Sequence, residues 1–173
     1  FKASQEYNRS VHHINVMMMS KMNIICPNVA TNFVNLDNPV QKEHLFENFW
    51  FVDKESFESC KVNRTITDNQ ILLKCDEPVK LKYRELTLKP LSPVKGDPEF
   101  QYGKEYYFIA TSNGSENSLE NEAYGRCKTH NMKFKIYICT DQNGKCTVPQ
   151  VALLSEGRPP RGMGGGGGDF GSY

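Results

Sequence analysis

The residues best suited to chemistry form a short cluster in the second half of the chain. Cys127, His130 and Met132 directly precede a strand-like stretch. A Cys thiolate, a His and a weak axial Met are the ligands of blue-copper sites, which also need a second His, here His44. The alternative is that Cys127 forms a disulfide, His130 lies on the surface and Met132 packs in the core. Because six cysteines pair without a leftover, the sequence favours the alternative.

No other cluster indicates an enzyme. The sequence contains no GxSxG, HExxH or P-loop motif. Asp53, Glu55 and Glu58 lie close together, but a solvated loop face explains three carboxylates at this spacing. Disulfide pairing would also consume any cysteine nucleophile. We therefore expect neither catalysis nor a cofactor or metal.

The cysteines and glycosylation sequons indicate an oxidising compartment. The six cysteines include no CxxC pair, which argues against a zinc ribbon, and their even count fits three disulfides. Asn-X-Ser/Thr sequons begin at Asn8, Asn63 and Asn113. A net charge of +1 gives no electrostatic case for nucleic acid or an anionic membrane, and no apolar run could span a bilayer. We expect a protein on the extracellular face of the plasma membrane, held there only through an anchor outside this sequence.

Short strands should make up the folded part. Alternating or aromatic β-prone stretches recur between Pro, Gly and Asn residues, which is typical of an all-β sandwich or barrel. The clearest are Glu105–Thr111 and Lys133–Cys139. The Gly- and Pro-rich end of the chain cannot bury apolar area. We expect a flexible arm over residues 1–10, one domain over residues 11–150 and a stalk over residues 151–173.

One long loop separates two of these strand-like stretches. Residues 86–109 contain three prolines, each of which fixes φ and removes a backbone donor, and Gly96 supplies one easily bent position. Loops longer than about 12 residues are usually functional or disordered, and three prolines argue against disorder. The loop is therefore either a preorganised binding element or a Pro-rich crossover whose Leu91 and Val94 tuck into the core.

The order of several motifs gives the sequence its resemblance to a known family. The first three motifs are a strand ending in Cys-Pro (Cys26-Pro27), an aromatic strand with an acidic turn before a second Cys (Phe49–Cys60) and a third Cys before Pro (Cys75–Pro78). The next are a Pro-containing loop closing on Glu-Phe (Leu91–Phe100) and a Tyr-Tyr strand (Tyr106-Tyr107) with a polar loop after it (Thr111–Ser115). The last is a fourth Cys (Arg126-Cys127). This set, from about Ile14 to Ile138, resembles the ephrins, the ligands of Eph receptor tyrosine kinases.

The resemblance implies a cupredoxin-like Greek-key β-barrel or sandwich without copper. It also implies the disulfides Cys26–Cys75 and Cys60–Cys127. Two further cysteines lie outside the resemblance, on either side of a turn signal at Asn143-Gly144. We therefore predict a third bridge, Cys139–Cys146.

The long loop acquires a role from the same resemblance. In ephrins, the loop before the Tyr-Tyr strand inserts into a hydrophobic channel on the Eph receptor ectodomain. The matching receptor-binding residues, within the loop 88–100, are Leu88, Lys89, Pro90, Leu91, Ser92, Pro93, Val94, Lys95, Gly96 and Asp97. The expected function is contact-dependent signalling in cell and axon guidance.

Leu91 stands where ephrins usually carry an aromatic residue at the loop tip. This difference leaves an alternative open, in which an ephrin-fold adhesion or guidance protein acts mainly through a non-Eph surface partner. A copper electron-transfer protein is the other alternative.

Overall fold

The computed structural model describes residues 12–29 and 44–140. Within these ranges the chain forms seven strands and two short α-helices. In chain order they are β1 (His12–Val16), β2 (Lys21–Ile25), β3 (Glu47–Val52), α1 (Lys54–Ser59), β4 (Gln70–Cys75), β5 (Tyr83–Thr87), β6 (Glu105–Ile109), α2 (Gly125–His130) and β7 (Lys133–Ile138). The all-β prediction is confirmed, although β5 was not foreseen.

Two sheets make up the fold. The larger has five strands in the order β1-β7-β6-β3-β4, and the smaller pairs β2 with β5. All described pairings are antiparallel except that of β1 with β7, which is parallel and places Ile14 opposite Ile136. The sheet order places the first and the last of the described strands, β1 and β7, side by side.

The main core lies between these sheets. Alternation along β5, β6 and β7 sends every second side chain inward, so that Leu86 of the small sheet meets Phe108 and Ile136 of the large one. The buried members of this cluster are Phe51, Leu72, Leu86, Leu88, Phe100, Phe108, Ile136 and Ile138. Leu88 and Phe100 bracket the long loop, so both ends of the loop are fixed in the core.

A second apolar cluster covers the other face of the large sheet. Asp53 caps α1 by accepting hydrogen bonds from the backbone N–H groups of Glu55 and Ser56. The helix buries Phe57 against Trp50 and ends at Cys60, which has a left-handed conformation. Helix α1 therefore closes this side of the sandwich.

Two disulfides hold the described part of the chain together. Cys26 is bonded to Cys75, and Cys60 is bonded to Cys127, as the resemblance implied. Cys139 is fully buried just after β7. Cys146 lies outside the described residues, so the bridge Cys139–Cys146 stays a prediction. The arm 1–10, the domain end at residue 150 and the stalk 151–173 also lie outside them. No helix among the described residues is long and apolar enough to cross a membrane.

Candidate functional site

The proline-containing loop joins β5 to β6 and is closed at its base. The backbone N–H of Phe100 donates to the carbonyl of Lys89 at 3.0 Å. Leu88 exchanges backbone hydrogen bonds with the turn between β1 and β2, accepting from Met19 and donating to Ser20. Because Leu88 is only 1% exposed, it anchors the loop and presents no surface to a partner.

The tip projects into solvent. Leu91 is 77% exposed and Val94 is 56% exposed, and Pro93 between them is exposed too. The alternative in which both apolar side chains tuck into the core therefore does not hold. Around the tip, Pro90, Lys95 and Gly96 are exposed, whereas Lys89, Ser92 and Asp97 are half-buried.

Side chains brace the loop from within. Ser92 Oγ donates to Asp97 Oδ2 at 3.3 Å and accepts from the backbone N–H of Val94 at 3.3 Å. The N–H of Ser92 donates to Oε1 of Glu99, also at 3.3 Å. Gly96 has a φ of +89°, which closes the turn at little steric cost. The two apolar tip residues therefore sit on a backbone that is largely fixed before any partner arrives.

An acidic groove of about 590 Å³ runs beside the loop. Its carboxylates are Asp53, Asp68, Asp97, Glu99 and Glu105, which outnumber the one lysine that lines it, Lys54. Lys135 donates to Glu105 at 2.5 Å, and this hydrogen bond holds the pKa of that carboxyl below its usual range. The groove gives the apolar tip a negatively charged neighbour.

The Cys-His-Met cluster does not assemble the ligands of a blue-copper site. The sulfur of Cys127 is bonded to Cys60, so it is not a thiolate. His130 is exposed, with Nδ1 2.7 Å from Oγ1 of Thr129. Met132, which the disulfide alternative placed in the core, is 43% exposed. Over residues 12–29 and 44–140, no group of three or more His, Cys, Asp or Glu side chains could hold a metal ion.

A buried ion pair not foreseen from the sequence fixes the segment after β6. Arg126 on α2 donates to Oε1 of Glu47 on β3 and to the carbonyl of His44. Burial raises the pKa of Glu47 to about 7, because desolvation outweighs the opposing effect of Arg126. The Glu47 Oε2 atom is buried without a hydrogen-bond partner. In the sequence, a charged residue inside the aromatic run Leu45–Val52 is the pattern that could have indicated a buried carboxylate, but no local pattern identifies Arg126 as its partner.

Two predicted sequons share one geometry. Asn63 and Asn113 are both exposed. In the first, Oδ1 of Asn63 accepts from the N–H of Thr65 at 3.0 Å and from its hydroxyl at 2.7 Å. The second repeats these contacts, with Ser115 donating to Asn113 at the same two distances. Asn8 lies outside the described residues.

Comparison with known proteins completes the description of the chain. It is 35% identical to zebrafish (Danio rerio) Ephrin-B2a over 115 residues, covering 65% of this chain and 31% of that protein. It is 26% identical to chicken (Gallus gallus) Ephrin-B1 over 141 residues, covering 82% of this chain and 37% of that protein. The chain thus spans about a third of the length of these curated relatives.

The fold and the family model agree with these matches. The crystal structure described as the human ephrin A2–ephrin A1 complex aligns with a TM-score of 0.54 at 18% identity, covering 77% of this chain and 88% of the matched one. That likeness supports the Greek-key β-sandwich fold. The sequence model of the family described as Ephrin matches residues 2–138. Since this match takes in most of the sequence, the chain belongs to the ephrin family.

Proposed function

We propose that this chain is the receptor-binding domain of a cell-surface ephrin-type ligand and that its loop tip enters an apolar channel on an Eph receptor tyrosine kinase ectodomain. The observation that carries the proposal is the exposure of Leu91 and Val94 on a braced loop. Membership of the ephrin family supports this class of partner. Binding at this loop would begin contact-dependent signalling between cells, including axon guidance.

The energetics of the tip favour a concave apolar partner. Covering one exposed aliphatic side chain contributes about 1.5–3 kcal/mol when the side chain passes from water to full burial. A loop already held by hydrogen bonds loses little conformational entropy on binding, so more of that gain appears as affinity. The acidic groove beside the tip adds a preference for a channel with a basic rim, because complementary charges speed the encounter.

The proposed setting is the outside of the cell. The two disulfides within the described residues fit an oxidising compartment. The exposed sequons at Asn63 and Asn113 fit a glycoprotein made in the secretory pathway. A longer protein would supply the membrane attachment, as this chain corresponds to about a third of its curated relatives.

Binding of soluble monomeric Eph ectodomains to the immobilised chain, measured by surface plasmon resonance, tests the proposal without a contribution from avidity. The double variant Leu91→Asp/Val94→Asp should lose binding to every ectodomain that binds the wild-type chain, because a buried unpaired carboxylate is costly. The double variant Val79→Asp/Leu81→Asp is the matched control, since it places the same charges on exposed apolar residues outside the loop. Equal affinity of both variants for the receptor would contradict the loop assignment.

A second candidate follows from the composition of the tip. Leu91 and Val94 are aliphatic, so the loop lacks the aromatic residue usual at ephrin tips. An ephrin-fold adhesion or guidance protein could then act through a non-Eph partner at another face. Wild-type chain that binds no Eph ectodomain but binds a defined surface protein, with the loop variant binding equally well, would favour this candidate.

A further inference from the structure

An exposed apolar patch lies at one end of the small sheet and on the turns next to it. Five side chains form it, each between 49% and 67% exposed. They are Ile25, Val29, Val79, Leu81 and Tyr83, which together we name the β2–β5 patch. Single exposed apolar residues are ordinary on a protein surface, but a contiguous group calls for an explanation.

The strand register shows that this group is contiguous. Ile25 on β2 stands directly opposite Tyr83 on β5, so both side chains point to the same face. The pairing continues past the strands, because the N–H of Cys26 donates to the carbonyl of Lys82 and the N–H of Val29 donates to that of Pro78. These contacts bring Val29 and Val79 to the same end of the small sheet.

The inner face of the small sheet is covered by the main core. Met22, Ile24 and Leu86 point inward and pack in the main core. In the sequence Val79–Tyr83 the apolar residues alternate with Lys80 and Lys82. Val79 lies in a turn closed by the N–H of Lys80, which donates to the carbonyl of Glu77 at 3.0 Å, and the apolar side chains of this segment face solvent.

The charged residues around the patch form ion pairs with one another. Three lysines each form an ion pair with a carboxylate of the same chain. The pairs are Lys21–Glu85 at 2.9 Å, Lys80–Glu77 at 2.6 Å and Lys82–Asp76 at 2.5 Å. A neutral rim offers no attraction to an anionic membrane and no repulsion between two identical copies.

The area of the patch matches a weak symmetric contact. The five side chains present apolar surface on the order of 500 Å², near the upper size for the largest patch on a monomer. Two such faces together would bury on the order of 1,000 Å², where specific interfaces begin. We propose that the β2–β5 patch binds the same patch of a second copy of this chain in a two-fold symmetric dimer.

This dimer leaves the receptor loop free. The patch lies at the start of β5, whereas the loop follows the other end of that strand, after Thr87. A five-residue strand separates the two by roughly 13 Å at about 3.3 Å per residue. A dimer would therefore present two loop tips at once, and a bivalent ligand binds clustered receptors more tightly than a monovalent one.

Sedimentation equilibrium of the full chain over a range of concentrations tests the inference. The wild-type mass should approach twice the monomer mass as concentration rises. The variant Val79→Asp/Leu81→Asp should remain at the monomer mass, because each substitution brings a carboxylate into the contact. The loop variant Leu91→Asp/Val94→Asp should still dimerise, so this test and the receptor test fail independently.

Three outcomes would overturn the inference. They are a wild-type chain that stays monomeric up to its solubility limit, a dimer that survives in the patch variant, and flotation of the chain with phosphatidylcholine vesicles that the patch variant abolishes. Thermal unfolding of the patch variant at the wild-type temperature, measured at a concentration where the wild-type chain is monomeric, shows that a lost dimer is not a lost fold, since both substituted residues are exposed.

Discussion

The guanidinium of Arg84 lies 2.5 Å from Oδ1 of Asp97, so a residue of β5 holds the proline-containing loop by an ion pair. The other end of the same guanidinium donates to the carbonyl of Leu72 at 3.1 Å. Asp97 in turn accepts from Ser92, next to the apolar tip. Arg84 therefore connects the loop to both sheets without reaching the tip itself.

A double-mutant cycle measures this brace. Arg84→Met and Asp97→Asn should couple by about 1 kcal/mol in denaturant unfolding, because the pair is a third exposed and partly screened. Each variant should also bind Eph ectodomains more weakly and exchange the amides of residues 92–97 faster. Lys21→Met with Glu85→Gln is the matched control, as that pair is more exposed and should couple by roughly 0–0.5 kcal/mol. Equal coupling in both cycles would contradict a special role for Arg84.

Two glycines with positive φ should respond very differently to alanine. A Cβ at Gly125 would lie 1.9 Å from the carbonyl oxygen of Thr111, which is backbone and cannot move aside. Gly125→Ala should therefore lower the free energy of unfolding by more than about 3 kcal/mol. A Cβ at Gly96 would meet nothing within 4 Å, so Gly96→Ala should cost only the conformational strain, about 1 kcal/mol. Denaturant unfolding that ranks the two variants in the opposite order would refute this account.

Ionisation of Glu47 should make the protein less stable as pH rises. Because burial raises its pKa from 4.5 to about 7, the folded chain holds a proton that the unfolded chain has released. Stability is therefore full below about pH 4.5 and falls until about pH 7, by roughly 3 kcal/mol from this group. Glu47→Gln, which mimics the protonated form beside Arg126, should flatten this part of the profile. Chemical unfolding at several pH values checks the difference, and parallel profiles would show that Glu47 does not titrate there.

The two disulfides should contribute similar amounts to stability. Their cysteines are 49 and 67 residues apart, and chain-entropy estimates for loops of these lengths differ by only about 0.3 kcal/mol. Cys26→Ala/Cys75→Ala and Cys60→Ala/Cys127→Ala should each cost about 4 kcal/mol in unfolding. A much larger loss for the second pair would show that the packing of Cys60 and Cys127 in the cluster around Trp50 matters more than loop closure.

Both described sequons should carry glycans. Asn63→Gln and Asn113→Gln should each reduce the mass of the secreted chain by one glycan, because both side chains are exposed. Intact-mass spectrometry before and after enzymatic deglycosylation checks this. If either variant loses no glycan mass, that asparagine is not glycosylated.

Local sequence patterns were sufficient to predict most of the strands of the sandwich. Strands β6 and β7 follow from aromatic and alternating apolar residues, whose side chains fill the core. Strand β5 was not predicted because Arg84 and Glu85 interrupt its apolar residues, and Arg84 contacts both Asp97 and the carbonyl of Leu72. The position of the loop could be predicted from the sequence. Whether Leu91 is exposed or buried could not, because the composition of the loop fits both, and only the fold shows that it is exposed. Glu47 and Arg126 are 79 residues apart, so no local rule could pair them.

The parallel pairing of β1 with β7 has a consequence for biosynthesis. A chain made from its N-terminus releases His12–Val16 from the ribosome long before Lys133–Ile138. The large sheet therefore remains open at β6 until Lys133–Ile138 has been made, because β7 must bridge β6 and β1. Cys75 emerges 52 residues before Cys127, so the partner of Cys26 becomes available earlier in synthesis than the partner of Cys60. Until β7 is available, the edge of β6 stays unpaired, and an unpaired strand edge favours aggregation.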